Sequence, residues 1–203
     1  MKTKYQTFAK LAMICFGSGI VLCIQQSCSP VSPVGLAVGA GATVIHASQS
    51  EKGLKKSAED LRTRAEVLHY LFQKNVTLFS SVNVSVENAR VLLTGAVNRP
   101  MDRINATKLA WKATGVREVI NELQVQNTSS IANSAKDLLI NKALQTQLLL
   151  DKNIKFINYS VDTVNGIVYL FGIAENQEEL DRVIDLARNT NYVEDVVNYV
   201  TLE

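Results

Sequence analysis

Residues 84–95 read Val-Ser-Val-Glu-Asn-Ala-Arg-Val-Leu-Leu-Thr-Gly, and residues 161–172 read Val-Asp-Thr-Val-Asn-Gly-Ile-Val-Tyr-Leu-Phe-Gly. In the first, Val84 and Val86 continue from Val82 an alternation of apolar with polar residues; each stretch has an Asn-Ala or Asn-Gly pair, then a second apolar run ending in glycine. Alternation predicts a strand half buried on one face. Asn-Gly is the strongest short signal for a two-residue hairpin turn. The two stretches are 77 positions apart, and the match spreads in both directions from them. Residues 57–123 overlay 134–200 without a gap, with 16 identical pairs in 67 positions, where unrelated chains of this composition would give roughly 4. The chain is therefore a duplicated small domain, which excludes a single large enzyme core.

Outward from the hairpins the copies stay in phase. Ser57-x-x-Asp60 and Ser134-x-x-Asp137 place a hydroxyl at the predicted N-cap of a helix and an acid in its first turn, where the helix dipole favours it. The second strands are predicted over Val91–Val97 and Val168–Ala174, each interrupted by a glycine, Gly95 or Gly172, that permits a bulge or close packing under a helix. Leu180, Val183, Ile184 and Ala187 have the i, i+3, i+4, i+7 spacing of an amphipathic helix. The strand after it returns parallel to its partner by a right-handed crossover. The expected fold is α+β: two tandem domains, 57–125 and 134–203, each a three-stranded mixed sheet with two helices on one face in the order αββαβ. Residues 124–133 are read as the polar link.

The N-terminus is read as an export signal. Met1–Lys10 carries Lys2, Lys4 and Lys10 without an acid, Leu11–Ile24 is apolar, and Ser27-Cys28 follows. A basic segment, a short apolar core and a small residue before the cut describe a secretory signal over 1–27. Small Ser27 before Cys28 suggests lipoprotein processing with Cys28 as the acylated residue, although Gln25 stands where an aliphatic residue is usual. A plain cleaved signal and an uncleaved anchor are the alternatives. Residues 28–56 are read as a lipidated cysteine and a tether rich in Gly and Ala. Its apolar run, Val34 to Ala47, is 14 residues long, below spanning length.

Composition narrows the chemistry. Cys15, Cys23 and Cys28 are the three cysteines, so the repeats contain no thiol for a disulfide, a metal or a nucleophile. Loss of the leader removes three lysines and no acid, turning the net charge of +2 into −1; this does not describe a nucleic-acid binder. His46 falls in the tether and His69 in a helix, with no metal-ligand spacing around either. No phosphate loop or nucleophile elbow occurs. Glu178-Glu179-x-Asp181 is read as dipole complementation, and Trp111 as a packing aromatic. Neither catalysis nor a cofactor is expected.

Val91-Leu92-Leu93-Thr94-Gly95 followed by Gly115-Val116-Arg117-Glu118-Val119-Ile120-Asn121-Glu122-Leu123 resembles the BON domain. The second copy supplies Gly166 to Gly172 and Val193 to Val200, with Tyr192 where the first has Gly115. The whole arrangement resembles the dual-BON outer-membrane lipoproteins of Gram-negative bacteria. That resemblance implies a non-enzymatic protein on the periplasmic face of the outer membrane that binds phospholipid and supports envelope integrity. Ser29 after the cysteine is what such lipoproteins carry when sorted to the outer membrane.

Comparison of the copies yields a candidate surface. Positions 61/138, 67/144, 71/148 and 72/149 are apolar in both and are read as the core stripe of the first helix. Leu139, Ala143 and Leu150 lie off that arc, where the first copy has Arg62, Glu66 and Gln73. Three polar positions have thus become apolar on one face. An anionic phospholipid membrane is the expected cover, with Lys136, Lys142 and Lys152 meeting its headgroups. The alternatives are packing against the other domain and a protein partner, such as an outer-membrane assembly machine.

Overall fold

The computed structural model describes residues 51–126 and 131–203. The leader, Cys28 and the tether through Ser50 lie outside them. The first repeat consists of α1 (Glu51–Lys74), α2 (Val76–Ser81), β1 (Val82–Glu87), β2 (Arg90–Val97), α3 (Pro100–Ala110), β3 (Glu118–Asn121) and β4 (Gln124–Val125). The second consists of α4 (Ile131–Leu150), a single 3-10 turn (Phe156–Asn158), β5 (Tyr159–Val164), β6 (Ile167–Ala174), α5 (Gln177–Arg188) and β7 (Asp195–Leu202). Both are mixed α/β domains with the central strand antiparallel to its hairpin partner and parallel to the last strand.

The registers of the copies are identical. Val82 faces Gly95 as Tyr159 faces Gly172, and Arg90 faces Glu118 as Ile167 faces Asp195. Three details depart from the αββαβ expectation. The first repeat inserts α2, capped by the Asn75 side chain accepting from the Thr77 amide. Its last strand is interrupted at Glu122–Leu123 without a change of register, so that Gln124 and Val125, expected in the link, pair with β2 as β4. Ser57 and Ser134 lie within α1 and α4, not at their N-caps, because both helices begin upstream.

Each turn puts both central residues in the left-handed region: Asn88 and Ala89 at φ 52° and 64°, Asn165 and Gly166 at 51° and 77°. Two consecutive positive φ values match the twist of the flanking strands. Gly95 and Gly172 occupy equivalent backbone positions. A Cβ on either would collide with the carbonyl of the residue entering the first strand, Ser81 or Asn158, so the chain crosses directly over the glycine.

Each domain has its own core between its helices and one sheet face. Val67 and Leu71 of α1 meet Ala106 and Ala110 of α3 over Val84, Val91 and Leu93. Ile140, Leu144 and Leu148 of α4 meet Leu180, Val183 and Ala187 of α5 over Val161, Val168 and Leu170. The central strands β2 and β6 are buried on both faces, which explains their nearly continuous apolar runs.

Candidate functional site

The second faces of β2 and β6 are occupied by each other's domains. Leu92 joins Val164, Tyr169 and Phe171 in a third buried cluster, flanked by Ile120, Ile167, Val197 and Tyr199. Polar bonds ring this seam. The Tyr199 hydroxyl donates to Glu122 Oε1 at 2.6 Å, Arg90 Nη1 to the Tyr199 carbonyl at 3.1 Å, and Asn165 Nδ2 to Gln124 Oε1 at 2.6 Å. The Asp162 carboxylate accepts from Asn83 Nδ2 at 2.9 Å and from the Thr94 hydroxyl. The Arg90 guanidinium also lies 5.2 Å from the Phe171 ring centroid. Burial, then the bond to Glu122, pushes the Tyr199 hydroxyl up to about 12. The domains therefore pack through their helix-free sheet faces, and the outer face of α4 is not the interdomain contact.

On α4, Leu139 is 64% and Leu150 75% exposed, and Ala143 is exposed beside them. Leu139 and Leu150 fall about 20° apart on the helical wheel and about 17 Å apart along the axis. The core stripe is narrower than the sequence implied. Val67, Leu71, Leu144 and Leu148 are fully buried, but Leu61, Phe72, Leu138 and Leu149 are more than half exposed. Ile140, which faces Thr63 in the alignment, takes the core position instead. A residue apolar in both copies is thus not automatically internal: Leu138 and Leu149 lie on the shoulder of the helix and widen the outward apolar face to four leucines. In the first domain the same shoulder positions flank polar Arg62, Glu66 and Gln73.

The three lysines differ in availability. Lys136 is paired with Glu194 at 3.2 Å and lies 5.8 Å from the Tyr192 ring centroid. Lys142 and Lys152 are exposed and form no ion pair among the described residues. Cys28 lies outside the described residues.

Sequence reasoning missed several structural carboxylates. Asp60 and Asp137, assigned to helix dipoles, instead reach across to the hairpins. Asp60 accepts from the Asn88 and Ala89 amides at 2.8 and 2.9 Å, and Asp137 from the Asn165 and Gly166 amides at 2.7 and 2.8 Å. The signal was available: Asp60/Asp137 and Asn88/Asn165 are identical pairs. Glu179 is also more than a dipole partner. It is buried, its carboxylate accepting from the Lys155 and Glu175 amides at 2.7 and 2.8 Å, while its own amide binds the Asn176 side chain, the N-cap of α5. Trp111, read as a packing aromatic, is half exposed at the end of α3. Among the described residues, no cluster of His, Cys, Asp and Glu is placed to hold a metal ion, and no helix is long and apolar enough to cross a membrane.

Comparison with known proteins places these observations in a family. The BON domain matches at residues 60–127 and again at 136–203. An uncharacterized protein of Anaplasma centrale is 40% identical over 134 residues, covering 66% of this chain and 87% of that protein. The outer membrane lipoprotein DolP of Haemophilus influenzae is 33% identical over 116 residues, covering 57% of this chain and 60% of its own. Osmotically-inducible protein Y of Escherichia coli is 25% identical over 142 residues, covering 69% and 71%. With two matched segments, identical registers and a fold of the expected class, the chain belongs to the BON-domain family and carries two BON domains in tandem.

Proposed function

We propose that this chain is a non-enzymatic protein of the bacterial envelope, anchored to the periplasmic face of the outer membrane through acylated Cys28. Its second domain lays α4 on anionic phospholipid, and through that contact the protein supports outer-membrane integrity. The observation that carries this reading is the outward face of α4, with Leu138, Leu139, Leu149 and Leu150 at 59, 64, 66 and 75% exposure. The helix-free sheet faces are already used in the seam, so the leucines need another apolar cover. Inserting each of them removes apolar area from water worth about 1 kcal/mol or more. Lys142 and Lys152 meet anionic headgroups, a contribution that salt screens. The likeness to a named outer membrane lipoprotein supports the location.

Vesicle co-sedimentation of the chain from Ser29 onward, which removes the acylation site, tests this. Binding should favour anionic over neutral vesicles, weaken with salt, and fall about tenfold or more in the Leu139→Arg, Leu150→Gln double variant. Folding should survive, because Leu144 and Leu148 carry the core. Unchanged vesicle binding in that variant contradicts the reading and favours a protein partner on the face.

A further inference from the structure

Duplication makes each domain a control for the other, and one place differs in kind. In the first domain a cavity of about 650 Å³ opens between the first half of α1, the β1–β2 turn and the loop before β3. Lys56, Arg62 and Arg117 line it. Gly115, at φ +84°, forms part of its floor, and a Cβ there would meet nothing closer than the Thr63 hydroxyl at 4.0 Å. In the second domain the equivalent residues are Asn133, Leu139, Glu194 and Tyr192. All three cations are gone. Tyr192 takes the same left-handed backbone at φ +71°, with Lys136 beside its ring and bound to Glu194. The equivalent recess of the second domain is smaller, about 390 Å³, and its one lining cation, Lys136, is paired with Glu194; the first domain's recess is larger and is lined by three cations.

The larger recess is also braced. Glu66 accepts from the Thr114 amide at 2.7 Å and from Arg62 Nε at 3.0 Å, fixing the loop that carries Gly115 and Arg117. The Thr63 hydroxyl donates to the Thr114 carbonyl at 3.0 Å. Arg117 Nη2 bonds the Asn88 carbonyl at 2.8 Å and its side-chain oxygen at 3.1 Å. Asp60 faces the cavity, but both its oxygens are engaged by turn amides. Glu59 is the remaining lining acid. Neither Lys56 nor Arg117 forms an ion pair among the described residues.

We propose that this cavity is an anion site that takes a phosphate ester. A guanidinium presents several donors to one phosphoryl group, and a lysine adds a point charge. The volume exceeds that of a bare phosphate, leaving room for the alcohol it is esterified to. The site is separate from α4 and does not rest on membrane contact by that helix. Two sources share the chemistry: a soluble phosphate ester and a phospholipid headgroup.

The test follows the Gly115 amide and the Arg117 side-chain resonances of the full chain in a maltoside micelle, which contains no phosphate. Glycerol phosphate is titrated in one arm and phosphatidylglycerol in the other. The expected result is saturable shifts at Gly115 and Arg117. Shifts in the first arm identify a soluble ester as sufficient; shifts in the second arm alone identify a headgroup. Gly115→Tyr and Arg117→Glu import residues that the second domain accommodates at the same positions, so folding should be retained. Each should weaken binding about tenfold or more, as for loss of a charge-assisted contact. No shift at Gly115 and Arg117 in either arm overturns the proposal, even if α4 resonances respond. So does binding unchanged in both variants.

Discussion

Glu87, at the end of β1, stands where the second domain has Val164 and is the carboxyl most displaced from ordinary behaviour. Burial, then the neighbouring Asp60 charge, pushes it up from 4.5 to about 7, with Lys56 opposing. Asp60 cannot move away, since the Asn88 and Ala89 amides hold it. A carboxyl whose pKa is raised on folding favours the protonated form. Its stabilising contribution is therefore complete below about pH 4.5 and is lost as pH rises to about 7. Glu87→Gln should leave stability unchanged at pH 4. At pH 8 it should raise stability by about 1 kcal/mol, allowing for solvent screening of a partly exposed group. Denaturant titrations at the two pH values check this; equal effects at both would show that the carboxyl titrates normally.

At the scale of elements, the hairpin and its helix form one unit in each copy. Asp137 satisfies two turn amides at once, and both bonds are charge-assisted. Asp137→Ala should cost about 2–3 kcal/mol and increase hydrogen exchange at Asn165 and Gly166 before the rest of β6. Unaltered exchange there would mean that the turn residues alone hold the hairpin. The sheet edges are closed by side chains in a related way. Asn121 and Asn198, another identical pair, accept from the amides two residues on, Leu123 and Val200, at 3.0 and 2.9 Å. Asn141 donates to the Val161 carbonyl at 3.2 Å on the outer edge of β5. Occupied edge groups discourage pairing with other chains.

This is also the scale at which the sequence was most legible. Alternation in β1, the Asn-Ala and Asn-Gly turns and the repeat specified the strands and their order, because period and turn chemistry are local. The boundaries of α1 and α4 were less legible: both helices extend upstream of the apparent serine caps. The core stripe is less legible: Leu61, Phe72, Leu138 and Leu149 are apolar in both copies yet exposed, because shared apolarity does not by itself require burial. Leu139, Ala143 and Leu150 are exposed, in keeping with the polar residues at their counterparts in the first copy. The Asp60 and Asp137 bonds span 28 or 29 residues and leave no periodic trace.

At the largest scale, among the described residues, two cores are joined by a third cluster at the seam. Its sequence signature was ambiguous, since a strand buried on both faces reads the same whether a helix or another sheet covers it. Leu92 is the first domain's fully inserted residue there, surrounded by Tyr169, Phe171 and Val164. Leu92→Asp would place an unpaired charge in that cluster while leaving both helix-side cores untouched. The expected outcome is two thermal transitions and a larger radius of gyration by X-ray scattering, with the methyl dispersion of Leu71 and Leu148 retained. Collapse of both cores in one step would show that neither domain persists without the seam.

Separation of roles follows from this architecture. The sheets bind each other, which leaves the helices outside, and one helix has become apolar there. The most direct test of membrane contact by α4 is paramagnetic broadening of leucine methyl resonances by spin-labelled anionic vesicles, using the chain from Ser29 onward. Leu138, Leu139, Leu149 and Leu150 should broaden strongly, and Leu61 of α1 and Leu92 of the seam should not. Broadening equal in α1 and α4, or absent from α4 while vesicles are bound, would contradict it.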